Sequence, residues 1–256
     1  MFIGVSAAAA LTSVSLALPS LAAAPPGFKG QPFERSRSYW RSGAKVRPAW
    51  FVCAPIDGAD MTVVTPPDAK GRVAVAQPLT KEAPSVFRLG QADPGAGQIY
   101  WPLSDQSGKE VGQIHAVNPG MIDDPQGATI PTVTWIRVNG AQWDCRWMGR
   151  TRLLGFSRRR AVIVTQAPDG TLEYRTFDIR DAGQLKRVPS TGVEQTTTAS
   201  LDLKGGKATA SGFVFRNGAS AYEIAASPVG AAITVRKGGR PVATEPLIAW
   251  TIGANP

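Results

Sequence analysis

The chain has 256 residues, with 28 Lys and Arg against 19 Asp and Glu, a single His and a formal net charge of +9. At 43% hydrophobic content it can bury a sizeable core, as one large domain or two smaller ones. Its 27 Gly and 21 Pro, and the lack of any long stretch with 3.6-residue periodicity, set aside a helix-built fold and point to short strands joined by tight turns.

Residues Met1 to Ala24 carry no charged side chain. An apolar stretch followed by Pro19 and small residues reads as an exported signal peptide, with cleavage predicted after Ala22 in Ser20-Leu21-Ala22. Ala22-Ala23-Ala24 also fits the cleavage pattern but would leave Pro25 at the new N-terminus. The absence of Lys or Arg at the start implies either an upstream initiation site or a weak signal, and an uncleaved membrane anchor is the alternative. No cysteine lies near the cleavage point, which argues against a lipid anchor. The expected location is periplasmic or secreted, with no transmembrane span after cleavage.

Export gives the two cysteines a meaning. Cys53 and Cys145 are expected to pair in an oxidising compartment. The loop they close, about 92 residues, is worth roughly 4.5 kcal/mol on the chain-entropy account. Two distant cysteines and one histidine make no recognisable metal site, and neither a metal nor a cofactor is expected.

Residues 23–48 read as a basic flexible arm. From Pro25 to Pro48, six cations (Lys29, Arg35, Arg37, Arg41, Lys45, Arg47) face one acid, Glu34. Tyr39 and Trp40 sit among them, either to stack on a polyanion or to pack onto the domain.

An N-terminal β domain with the disulfide is expected over 49–179. Trp50–Cys53, Met61–Val64, Val73–Ala76 and Ser85–Leu89 read as strands, and Gln98–Leu103 with Glu110–Val117 as a hairpin. In Val133 to Trp147, Asn139-Gly140 flanked by alternating apolar residues is a strong hairpin signal. It pairs Val138 with Ala141, Ile136 with Trp143 and Thr134 with Cys145. Ile136, Val138, Trp143, Cys145 and Trp147 then share an apolar face, while Trp135, Arg137, Asp144 and Arg146 point away. Ala161–Thr165 and Thr171–Phe177 form another hairpin across Pro168-Asp169-Gly170.

The polar stretch 180–192 reads as a linker, and 193–256 as a C-terminal β-meander domain. Its turns are placed at Gly205-Gly206, Asn217-Gly218 and Gly238-Gly239. The second turn pairs Phe213 with Tyr222 and Phe215 with Ser220, and the third pairs Val235 with Val242. Lys237 opposite Arg240, and Pro241, place that strand end in solvent or at a sheet edge. The predicted fold is all-β, with antiparallel meanders forming a sandwich or barrel, either as one body or as two packed units.

The densest chemical signal is Arg146, Arg150, Arg152, Arg158, Arg159 and Arg160, six arginines with no acid between them. Guanidinium forks suit bidentate capture of phosphate or carboxylate. With Trp135 and Arg137 they form a candidate anion-binding set for an envelope component or an acidic protein surface. The structural alternative is that they pair with Asp144, Asp169, Glu173 or Asp178. Nucleic acid suits the charge but not the compartment. A hydrolase would have to work through His115 or through Asp123-Asp124, and no G-x-S-x-G or H-E-x-x-H motif accompanies them.

Phe51-Val52-Cys53-Ala54-Pro55-Ile56-Asp57-Gly58 resembles the opening aromatic-x-Cys strand and turn of periplasmic lysozyme inhibitors, exported β-barrels with a disulfide. Ala210-Ser211-Gly212-Phe213 is a loose match to that family's Ser-Gly segment. The resemblance covers about ten residues and implies inhibition of a cell-wall hydrolase. A +9 chain, however, is electrostatically mismatched to a cationic lysozyme. The leading expectation is therefore a non-enzymatic, envelope-associated binding protein, with no oligomeric state implied.

Overall fold

The computed structural model describes residues 31–53, 61–80, 82–145, 147–178 and 199–255. The expected signal peptide at 1–22, the linker at 180–192 and Arg146 lie outside the described residues. The protein is all-β and antiparallel, and among the described residues no helix is long and apolar enough to cross a membrane.

After a 3-10 turn at Pro32–Arg35, strands Arg37–Ser42 (β1) and Lys45–Ala49 (β2) form a hairpin. A nine-stranded sheet follows. It contains Phe51–Cys53 (β3), Thr62–Val64 (β4), Arg72–Ala76 (β5), Ser85–Leu89 (β6), Asp93–Gly95 (β7), Gln98–Ser104 (β8), Glu110–Val117 (β9), Val133–Val138 (β10) and Ala141–Asp144 (β11). Thr151–Phe156 (β12), Arg160–Gln166 (β13), Leu172–Asp178 (β14) and Leu201–Lys204 (β15) belong with β1 and β2 in a seven-stranded sheet. Lys207–Thr209 (β16), Gly212–Asn217 (β17), Ser220–Ser227 (β18), Gly230–Lys237 (β19) and Arg240–Pro246 (β20) form a five-stranded meander. Ala249–Ile252 (β21) then returns to the seven-stranded sheet, between β12 and β1.

Three apolar clusters join these sheets into layers. The nine-stranded sheet curls into a nearly closed barrel around Trp50, Phe51, Trp101, Leu103, Ile114 and Ile136. Its end strands are β3 and β11, and the Cys53–Cys145 disulfide ties them together across the seam. Outward-facing Val52, Val63 and Ala76 pack on Trp40, Leu154, Phe156, Ile163 and Ala249 of the seven-stranded sheet. The opposite face of that sheet, with Leu153, Val162, Val164, Tyr174 and Trp250, packs on Phe213, Phe215, Ile224 and Ile233 of the meander. A central strand covered on both faces needs an unbroken apolar run. Strand β13 has one, with Ala161 to Thr165 all buried.

The stretch read as a basic arm is strand from Arg37 onward. Trp40 is buried against the barrel, and Tyr39 lies on Trp250, with ring centroids 5.8 Å apart. Arg37 and Arg41 alternate with the buried Ser38 and Trp40, so the hydropathy pattern is that of a strand whose other face carries long cationic stems. Strands β15 and β21 both follow the linker in sequence, yet both pair within the seven-stranded sheet.

The core hairpin pairs as expected, Ile136 with Trp143 and Val138 with Ala141. The Cys145 amide donates to the Thr134 carbonyl at 2.7 Å. Asn139 and Gly140 both adopt positive φ, +50° and +83°, as a type I′ turn requires. Trp147 departs from the expected face. The strand ends at Asp144 and the Trp147 amide turns back to the Cys145 carbonyl, so Trp147 packs in the second cluster.

In the meander three registers differ from expectation. Gly218-Ala219 forms the β17–β18 turn, so Phe215 pairs with Tyr222 and Phe213 with Ile224. Gly218, at φ +57°, occupies the first central position, where a II′ turn favours glycine. Lys237 faces Arg240 at the edge strand β20, as expected, but a bulge moves Val235 opposite Ala243. Gly205-Gly206 is a crossing between sheets, not a hairpin. A Cβ on Gly206 would lie 2.3 Å from the Phe215 ring, so the chain passes too close to that ring for any side chain. Between Gly206 and Asn217 the chain is not one strand but turns at Ala210-Ser211, where Thr209 pairs with Gly212.

Candidate functional site

Of the six arginines, the five described do not converge on one patch. Arg150 Nε donates to Asp124 Oδ2 at 2.6 Å, and Asp124 Oδ1 accepts the Gly127 amide at 3.1 Å. Arg152 donates to Gln166 and, at 2.6 Å, to Asn255 Oδ1, and lies over the Phe213 ring; burial lowers its pKa. Arg160 sits between Glu245 at 3.2 Å and Asp178 at 3.5 Å. These three arginines are internal pairs that hold strand ends and loops. Their acids, apart from Asp178, are not those the sequence suggested.

Arg158 and Arg159 are different. Both are exposed in the tight turn between β12 and β13. Ser157 Oγ organises that turn, accepting the Arg159 and Arg160 amides at 2.9 and 3.0 Å and donating to Glu245. Among the described residues neither Arg158 nor Arg159 has a carboxylate partner.

The register places a second basic stretch beside this turn. Phe156 and Trp40 both lie opposite Ala249, on either side of β21. The Ile248 amide donates to the Phe156 carbonyl at 2.6 Å, and the Arg41 amide to the Ile248 carbonyl at 2.7 Å. Beyond these rows β1 ends at Ser42 and the chain after β12 turns at Arg158, so both lie at the same end of the sheet. Strands β1 and β12 are two strand spacings apart there, about 10 Å. The β1–β2 hairpin tip adds Lys45, opposite Ser42, and exposed Arg47, opposite Trp40. Lys45 and Arg47 on β2 thus lie at the same end of the sheet as Arg158 and Arg159 after β12, three strand spacings or about 14 Å away, and none of the four has an ion-pair partner among the described residues. Arg41 backs this end, donating to the Leu247 carbonyl at 3.1 Å and lying over Trp250. Sequence reasoning flagged both stretches but could not join them, because the strand between them comes from the C-terminus.

Trp135 and Arg137 lie elsewhere, on the outer face of the barrel. Tyr100, His115 and Trp135 are cross-strand neighbours on β8, β9 and β10. His115 stacks on Trp135 at 4.8 Å and 12°, with Tyr100 at 4.8 Å on its other side. The Arg137 guanidinium lies 5.2 Å from the Trp135 ring and donates to Gln142 Oε1, while Gln142 donates to Asp144. The ring faces are thus largely taken up by one another, as in a ladder that stabilises cross-strand pairs. His115 is 9% exposed, its Nδ1 shares a hydrogen bond with Thr134 Oγ1, and burial lowers its pKa.

Asp124 is committed to Arg150 and the Gly127 amide, whereas Asp123 is exposed. Among the described residues no group of three His, Cys, Asp or Glu is placed to hold a metal ion. The two segments of the lysozyme-inhibitor resemblance sit in opposite layers. Phe51–Cys53 lines the barrel, and Ser211-Gly212 turns between β16 and β17 of the meander; residues 54–60 lie outside the described residues.

Fold and surface together define an all-β, disulfide-closed protein with a cationic sheet end. The chain matches no protein family model, no curated protein and no solved structure.

Proposed function

We propose that the protein is exported to the periplasm or beyond, is non-enzymatic, and binds an anionic envelope component through the end of the seven-stranded sheet. The observation that supports this reading is the placement of two separate basic stretches, Lys45–Arg47 and Arg158–Arg159, at the same end of the seven-stranded sheet, where the nearby Glu245 and Asp178 are taken up by Arg160. Exposed charges there attract a polyanion over roughly 8–10 Å at physiological salt. Arg160 holds this end in shape, whereas Arg150 and Arg152 lie at the other end of β12, and all three make little direct contribution to binding.

The meander supplies an internal control. Arg216, Lys237 and Arg240 form a second exposed basic group at the end of β17–β20. Replacing Arg158 and Arg159 by Ser is expected to shift elution from a heparin column to clearly lower salt. The same charge loss through Lys237→Ser and Arg240→Ser should shift it much less. Equal shifts would mean that net charge alone governs binding, and the reading would fail.

A further inference from the structure

The cationic end also carries an exposed apolar tip. The β18–β19 turn consists of Ser227, Pro228, Val229 and Gly230, and Val229 is 83% exposed, the highest value among the large hydrophobic residues exposed in the described chain. The tip is held in shape. Ser227 Oγ accepts the Val229 amide at 3.3 Å and donates to the Gly230 carbonyl at 3.1 Å. A rigid tip presents its valine to solvent with little conformational freedom left to lose.

Its place in the fold gives it a role. The Leu247 amide donates to the Ala231 carbonyl at 2.9 Å, and the Leu247 carbonyl accepts Arg41 Nε at 3.1 Å just before β21. A Cβ on Gly230 would lie 3.1 Å from Arg41 Nη2, so the tip abuts Arg41 directly. Three turns from two sheets therefore end together: the β1–β2 tip with Lys45, the β12–β13 turn with Arg158 and Arg159, and the β18–β19 tip with Pro228 and Val229. The acids beside Arg160 at this place, Glu245 and Asp178, are both taken up by it, and Glu245 also by Ser157.

From this juxtaposition we infer that the anionic partner is a membrane surface of acidic phospholipid, met end-on by the three turns; the inference rests on the anion-binding reading above. A soluble polyanion would use the cations and has no use for a rigid, exposed Pro-Val tip. An acidic bilayer uses both. Its headgroup phosphates take the guanidinium and ammonium groups, and its interfacial region accepts a small apolar side chain. Each cation near such a surface strengthens binding several-fold, and salt weakens the attraction. The contact is peripheral and reversible, since one valine is far short of an anchoring chain.

The test is co-sedimentation of the full chain with vesicles of phosphatidylglycerol and phosphatidylcholine, and with phosphatidylcholine alone, alongside heparin chromatography. Binding is expected to the mixed vesicles only. Val229→Ser should weaken vesicle binding several-fold and leave heparin elution unchanged, whereas Arg158→Ser with Arg159→Ser should weaken both, by about tenfold for vesicles. Val242→Ser, which removes an exposed valine beside the second basic group, should change neither. If Val229→Ser leaves vesicle binding intact while the arginine pair still matters for heparin, the membrane inference fails and the anion-binding reading stands. If the arginine pair changes neither measurement, both fail.

Discussion

Replacing Cys53 and Cys145 together by alanine is expected to lower the free energy of unfolding by about 3–5 kcal/mol. The bond closes a separation of 92 residues, so its removal returns considerable freedom to the unfolded chain. Its position should add to that cost. It joins the two end strands of the barrel, and Cys53 is fully buried beside Phe51, Val73 and Trp101. Without it the seam between β3 and the end of β11 rests on side-chain packing alone. Urea titration of the wild type and the double variant measures the difference directly. A loss below about 1 kcal/mol would show that packing already closes the barrel, since typical domains are stable by only ~5–15 kcal/mol.

The second large effect is expected at Trp250. This side chain is fully buried between the seven-stranded sheet and the meander, with the Tyr39 ring tilted against it and Arg41 over its ring. It lies on the strand that joins β12 to β1. Trp250→Ala should cost about 3–5 kcal/mol through lost transfer energy and the cavity left behind. It should also loosen the β1–β2 hairpin, because among the described strands β1 pairs only with β2 and β21. Thermal unfolding reads the first effect. Faster amide exchange at Tyr39 and Arg41 than at Ile114 reads the second. Uniform exchange across all three would contradict a role specific to this junction.

Those two residues show what could and could not be read from the sequence. The hairpin at Asn139-Gly140 was legible to the residue, because a two-residue turn with positive φ at both positions fixes its own register. The cysteine pairing followed from there being only two. Registers slipped where the local signal was ambiguous, as at Asn217-Gly218, where the glycine can serve either as the second or the first central residue. The strand at Arg37–Ser42 was hidden by its cations, whose charges suggest a tail, although Arg41 lies over Trp250 and Arg37 donates to the Glu34 and Ser36 carbonyls. The role of β21 could not be read at all. Its insertion between β1 and β12 is a contact between chain ends, and no local pattern encodes it. For the same reason the candidate site emerged only in part. The five described arginines of residues 146–160 lie on strands and turns with separate destinations, and Lys45 and Arg47, more than a hundred residues away in sequence, end at the same side of the sheet as the unpaired Arg158 and Arg159.

The most direct test of the cationic end is an amide chemical-shift titration of the full chain with a short heparin oligosaccharide. The shifts are expected to concentrate at Arg41 to Arg47 and Ser157 to Arg160, with little change at Arg216, Lys237 and Arg240. Shifts centred instead on the meander group, or spread evenly over all exposed cations, would contradict a site made by these two stretches.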